Sequence, residues 1–312
     1  MSETEFDTYL LDRAGQLVAG RYRIESLLGA GGMGSIWLAQ HVVLRRRVVV
    51  KFHERGFIGS RAKESLQRFL REAKTLSTVR HKNVTELFES GMNELGEPFL
   101  ILEYLEGESL MAKMRREGAI PFDEALHIAV AIAEGLGAAH DMGVLHRDVK
   151  PENIFLREEK QGTPTPKLLD FGLAREVVDS APLTGENRVV GTPGYFSPEQ
   201  ARGRRDMDAR VDIYSLGVSL YEMLTTAFPS EGETAIDHMI WVATREPIEL
   251  EHRRPDLAGA PNEIVMKALA LRREDRYPDA RSFRDALVSL IGSTPQLATA
   301  DTLRPSPPAK SD

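Results

Sequence analysis

Residues 22–102 alternate apolar and polar positions in short runs broken by Gly or Pro, the period of two that half-buried strands require. Strands are predicted over 22–28, 35–41, 47–53, 84–90 and 98–102. Between the third and fourth, residues 62–79 space Leu66, Phe69, Leu70, Ala73 and Leu76 as one helical face does. A small antiparallel sheet with one main helix is therefore expected over 21–104. After Gly107 the period lengthens. The Ala-rich stretch 123–142 carries Leu126, Ile128, Val130, Ile132 and Leu136, and helices are also predicted over 209–225, 233–245, 261–271 and 279–291. The pattern is that of an α+β chain with two lobes, the second (105–292) mainly helical. Residues 1–20 lack strong periodicity and are expected as a loose leader. Residues 293–312, with Pro295, Pro305, Pro307 and Pro308, are expected as a disordered tail.

Composition narrows the picture by exclusion. The chain of 312 residues is long enough for a large core, and its net charge of −7 argues against a general nucleic-acid binder. It contains no cysteine, so disulfides and thiolate metal sites are out. The N-terminus shows no basic start followed by an apolar run. The most apolar stretch, 211–224, carries Asp212 and Glu222 and reads as a core helix rather than a membrane span. A cytoplasmic location is the expectation.

The chemistry is concentrated in a few short runs. Residues 146–153 read His-Arg-Asp-Val-Lys-Pro-Glu-Asn, which places a carboxylate at Asp148, a cation at Lys150 and an amide oxygen at Asn153. Asp170-Phe171-Gly172 adds a second carboxylate. Phosphoryl transfer needs this set: an acceptor for a hydroxyl proton, positive charge near the moving group, and hard oxygen ligands for a cation. Upstream, Gly29-Ala30-Gly31-Gly32-Met33-Gly34 lies between two predicted strands, with Leu28 before it and Ile36 beyond. Such a run lets backbone approach phosphate oxygens closely. It is not a Walker loop, which leads into a helix. Lys51 ends an apolar strand and can face those phosphates. Its expected partner is Glu72 on the inward face of the 62–79 helix, with Glu64 as the competitor, and the pair forms only when that helix is swung in. The connector Glu103-Tyr104-Leu105 can offer backbone groups to an adenine edge, with Leu102 guarding the pocket behind.

In this order, GAGGMG, Lys51, Glu72, HRDVKPEN, DFG, GTPGYFSPEQ, DIYSLG and Arg276 resemble the eukaryotic-like (Hanks-type) serine/threonine protein kinases, especially their bacterial branch. The resemblance covers residues 21–292. It implies a two-lobed protein-kinase-like fold with ATP and Mg²⁺ (or Mn²⁺) in the cleft, and protein substrates. Asp148 then corresponds to the catalytic aspartate, Lys150 to the lysine at the γ-phosphate, and Asn153 and Asp170 to the metal ligands. Glu199 would pair with Arg276, and Asp212 would steady the catalytic loop from beneath. Lys150 together with Thr192 looks like the serine/threonine class, in which the Thr192 hydroxyl bonds both Asp148 and Lys150. Arg147 and Arg175 would receive a phosphorylated activation segment, with Thr184 as the expected autophosphorylation site and Ser180 a weaker one. Glu186 stands where some relatives carry a second acceptor.

Two positions depart from the pattern. Val49 replaces the small residue above the adenine, and Phe155 stands where Leu or Met is usual beneath it, so a narrow slot is expected. The alternative functions are a catalytically weak pseudokinase serving as a scaffold and, ranked lower, a small-molecule kinase, which would lack the GTPGYFSPEQ-like segment. A back-to-back homodimer through the 62–79 helix is a further reading, and Thr299 and Thr302 in the tail are candidate acceptors.

Overall fold

The computed structural model describes residues 13–31, 34–53, 62–171 and 192–292. Strands β1 (Leu17–Val18), β2 (Tyr22–Gly31), β3 (Gly34–His41), β4 (Arg47–Phe52), β5 (Leu87–Met92) and β6 (Pro98–Glu103) form one antiparallel sheet in the order β1-β2-β3-β4-β6-β5. Its inward positions alternate as the sequence does: Tyr22, Ile24, Trp37, Ala39, Val48, Val50, Phe52, Phe99 and Ile101 make one buried cluster. Helix α1 (Ala62–Leu76) packs against the sheet edge at β5 and turns Phe69, Ala73 and Leu76 inward.

The second lobe begins with β7 (Gly107–Ser109) and α2 (Leu110–Glu117), which starts where the Ser109 hydroxyl accepts from the Ala112 N–H and ends at Gly118 with φ of 80°. Helix α3 (Phe122–Asp141) follows, then β8 (Ile154–Arg157) and β9 (Thr165–Leu168), which with β7 form a three-stranded sheet in the order β7-β8-β9. Beyond residue 191 come α4 (Pro198–Ala201), α5 (Arg210–Thr225), α6 (Ala235–Thr244), α7 (Leu250–Arg253), α8 (Ala260–Ala268) and α9 (Ala280–Val288). Within 211–224 every residue except Glu222 is buried. A helix apolar on all sides is a core element, which is how 211–224 reads in sequence. Among the described residues no helix is long and apolar enough to cross a membrane.

Two expectations need correction. Residues 13–20 fall in the segment read as loose, yet β1 pairs with β2, Val18 is buried, and the buried Arg13 contacts Glu97 at 2.7 Å with its guanidinium over the Phe52 ring. The strand expected at 84–90 starts instead at Leu87, because Val84 bridges to Leu168 of the other lobe. Helices α2, α4 and α7 and strands β7, β8 and β9 have no counterpart in the sequence pattern. They are too short for periodicity to mark; β7 is held by its ladder to the distant β8, β8 and β9 by their own hairpin, and α2 by its caps. The tail at 293–312, with Thr299 and Thr302, lies outside the described residues.

Candidate active site

The loop between α3 and β8 is shaped by one buried carboxylate from α5. Asp212 Oδ2 accepts the His146 N–H at 2.8 Å and its Oδ1 accepts the Arg147 N–H at 2.6 Å. His140 Nε2 of α3 donates to the same Oδ2 at 2.8 Å. Burial alone would raise the Asp212 pKa, but these donors hold it below the usual carboxylate range. Arg147 adopts φ of 62°, a left-handed conformation costing about 1–2 kcal/mol that the two Asp212 bonds sustain. His146 is fully buried and burial lowers its pKa, so the ring is neutral. Its Nε2–H donates to the Leu169 carbonyl at 2.7 Å, leaving Nδ1 to accept the Asp148 N–H at 3.3 Å. One imidazole thus joins the Asp148 loop to the segment before Asp170.

Around Asp148 three predicted residues converge. Asn153 Nδ2 donates to the Asp148 carbonyl at 2.8 Å and to its Oδ2 at 2.9 Å, so the amide Oδ1 is the atom left to meet a cation. Lys150 Nζ lies 3.1 Å from Asp148 Oδ2 and donates to Thr192 Oγ1 at 3.4 Å. Of the two bonds expected of the Thr192 hydroxyl, the one to Lys150 is present, and Lys150 bridges Thr192 to Asp148.

Asp170 is brought beside Asn153 by the Leu169 N–H, which donates to the Asn153 carbonyl at 2.8 Å. The φ of Asp170 is 49°, and its Oδ1 lies 2.8 Å from Lys51 Nζ. Burial pushes the Asp170 carboxyl up, while Lys51 pulls it down and prevails. Lys51 therefore makes an ion pair with Asp170, and among the described residues no ion pair joins it to the expected Glu72. The Glu64 side chain lies outside the described part. Phe171 is buried against the His146 ring, with centroids 4.6 Å apart. Among the described residues no three His, Asp or Glu side chains converge as a protein-only metal cage. Two hard oxygen donors on adjoining backbone fit Mg²⁺, which takes one or two protein ligands and completes its shell with water and phosphate oxygens.

The roof and wall of the cleft come from the sheet. Ile36 pairs with Lys51, Gly29 with Ile36, Ala30 with Ser35 and Gly31 with Gly34, so the glycine-rich strands lie in the same sheet row as the lysine. Leu28 is half-exposed beside them. Gly34 has φ of +135°, and a Cβ there would lie 1.9 Å from the Phe52 carbonyl oxygen. Val49 pairs with Leu102 on the connector strand, Phe155 pairs with Lys167, and Leu105 lies beyond Glu103 on the connector. Gly32, Met33, Arg175, Ser180, Thr184 and Glu186 lie outside the described residues.

Beneath the site, Arg276 donates to both Glu199 oxygens at 2.8 and 2.9 Å, and both side chains are buried. Ser197 and Gln200 cap α4 reciprocally, and Gln200 Nε2 donates to the Arg147 carbonyl at 3.1 Å, tying this segment to the loop. Sequence reading missed three participants. His140 sits in the last turn of α3, six residues before a motif it does not belong to, His53 is buried against Phe69 behind Lys51, and Lys167 reaches across to Glu103. No local signal marks any of them, since each is defined by a partner on another element.

Residues 22–288 match the family model described as the protein kinase domain. The chain belongs to that family. This kinase domain is 35% identical to the serine/threonine-protein kinase pkn3 of Myxococcus xanthus, over 88% of this chain and 50% of the relative. It is 34% identical to the serine/threonine-protein kinase PknB of Mycobacterium leprae, over 89% of this chain and 44% of the relative. The chain thus spans about half the length of the curated relatives it matches. Among solved structures, the kinase domain of PknI from Mycobacterium tuberculosis superposes with a TM-score of 0.72 at 27% identity, covering 89% of this kinase domain and 98% of that one.

Proposed function

We propose that this kinase domain transfers the γ-phosphoryl group of ATP to Ser or Thr hydroxyls of proteins, in the cytoplasm where ATP is available. The observation that carries the reading is the Asp148 carboxylate, held by Asn153 and Lys150 and joined through His146 to the segment bearing Asp170. Asp148 orients the acceptor hydroxyl and takes its proton, while Lys150 and Lys51 offset negative charge at the γ-phosphate and at the α- and β-phosphates. Asn153 and Asp170 would hold Mg²⁺ (or Mn²⁺), which neutralises phosphate charge when bound. The glycine-rich strands and the Glu103–Leu105 backbone would hold the nucleotide, with Val49 and Phe155 on the two faces of the adenine. The Lys150–Thr192 contact supports the Ser/Thr class.

Control follows from the same elements. Exchanging the Lys51–Asp170 pair for Lys51–Glu72 would free the Asp170 carboxylate for metal, and a phosphorylated Thr184 held by Arg147 and Arg175 would link its segment to the catalytic loop. The decisive experiment offers [γ-³²P]ATP and a basic protein to the intact chain and to Asp148→Asn. Incorporation into Ser or Thr should fall about 10²–10⁴-fold in the variant. Equal incorporation by both would refute the role of Asp148. ATP binding without any transfer by the wild type would favour the scaffold reading. Phosphopeptide mapping after ATP incubation tests the control: no phosphate between Asp170 and Glu199 rules it out.

A further inference from the structure

An ion pair between a buried lysine and a largely buried glutamate ties the connector between the lobes to the strand that leads to Asp170. Lys167 Nζ donates to Glu103 Oε2 at 2.7 Å and to the Val84 carbonyl at 3.3 Å, and the two side chains are 6% and 15% exposed. The same Glu103 oxygen accepts the Glu86 N–H at 3.3 Å. Strand β9 is also stitched to the segment before β5. The Leu168 N–H donates to the Asn83 carbonyl at 2.9 Å, the Thr85 N–H to the Leu168 carbonyl at 2.9 Å, and Asn83 Nδ2 to the Pro166 carbonyl at 2.7 Å. Burying an ammonium costs several kcal/mol that a well-packed apolar pair avoids. What such a pair contributes is position more than stability.

The strand registers show what it positions. Glu103 follows Leu102, which pairs with Val49, and Lys167 pairs with Phe155. Residues directly opposed in an antiparallel ladder project to the same face, so Lys167 and Phe155 share one. The Glu103–Lys167 contact is therefore a strut from the strand pair bearing Val49 to the strand pair bearing Phe155. The geometry points to Lys167 as a positioning residue that sets the separation of the two apolar faces receiving the adenine, and so sets ATP affinity. This rests on the reading of the cleft as the ATP site. Dispersion is steep enough for the effect to be measured: a radial gap of about 0.5–1 Å forfeits roughly a quarter to a half of the contact energy. With Val49 and Phe155 both bulky, the fit depends more on spacing than it would with smaller faces.

The test measures trinitrophenyl-ATP binding by fluorescence, together with steady-state KM and kcat for ATP. The variants are Lys167→Met and Lys167→Gln, each alone and combined with Val49→Ala. Lys167→Met should raise Kd and KM for the nucleotide about fivefold or more while kcat changes far less. Lys167→Gln, which keeps a donor, should recover part of that loss. The factor by which Val49→Ala changes Kd should differ about threefold or more between the wild-type and Lys167→Met backgrounds, because both residues act on one spacing. Unchanged Kd in the Lys167 variants, independent multiplication of the two effects, or a fall in kcat at unchanged Kd would each overturn the strut. Should Lys167→Met not fold, the Lys167→Gln and Val49→Ala cycle decides by the same criteria. A wild-type chain that binds no nucleotide overturns the ATP-site reading instead, which separates the two failures.

Discussion

Replacing Arg276 with Met should cost this domain a large part of its stability, and the structure says why. The guanidinium makes a two-pronged contact with Glu199 at 2.8 and 2.9 Å, with side chains 0% and 6% exposed. It also donates to the carbonyls of Ala270 at 2.8 Å and Arg210 at 3.1 Å, and its plane lies 4.9 Å from the Tyr214 ring centroid. Removing it leaves a carboxylate buried without its cation, a situation that costs about 3–5 kcal/mol. For a domain of this size each kcal/mol corresponds to about 2–4 °C, so Tm should drop by about 6–20 °C. The control is Arg276→Met combined with Glu199→Leu, which removes the stranded charge along with its partner. That double variant should regain most of the loss and remain about 1–3 kcal/mol below wild type, because the carbonyl bonds stay broken. Thermal and urea melts of the four proteins give the cycle directly. A single variant within 1 kcal/mol of wild type, or a double variant as unstable as the sum of the singles, would refute the reasoning.

Two further outcomes follow. His53 is buried, and among the described residues neither ring nitrogen has a hydrogen-bond partner; burial, then Lys51, lowers its pKa to about 3. The unfolded chain takes up a proton near pH 6.5 that the folded one refuses, so stability falls as pH drops from 6.5 toward 3, by about 2 kcal/mol at pH 5. Urea melts of His53→Leu should show that share of the pH dependence removed, and an unaltered slope between pH 7 and 5 would count against the assignment. Gly34→Ala should destabilise the glycine-rich strands by about 1–3 kcal/mol or distort them, since the added Cβ meets the Phe52 carbonyl oxygen at 1.9 Å and the φ of +135° is strained for any side chain. A melt and a nucleotide titration indistinguishable from wild type would show the hairpin to be laxer than its register implies.

Local pattern was enough to determine a great deal about this chain. Period-two alternation over 22–102 and the helical spacing of Leu66, Phe69, Ala73 and Leu76 report which face is buried, and burial of one face is what makes a strand or helix persist. The run 146–153 announced its chemistry because Asp148, Lys150 and Asn153 lie within one loop, where short separation forces their groups together. Asp212 and the Glu199–Arg276 pair were legible only through resemblance, since nothing local says where a carboxylate on α5 will point.

Tertiary structure decided the partners of the long side chains. A lysine reaches several ångströms in any direction, so its partner depends on which distant strand arrives beside it: Lys51 pairs with Asp170 rather than Glu72, and Lys167 with Glu103. The same holds for β7, too short for periodicity to mark and held by a ladder to β8 far along the chain, while β1 and the β8–β9 hairpin are short elements fixed by their ladders to nearby residues. Sequence determines the faces an element must hide and the chemistry a loop can present. Which charge meets which is settled only when the lobes close on each other, because the Coulomb and hydrogen-bond energies that choose between partners act through distances that do not exist until the fold does.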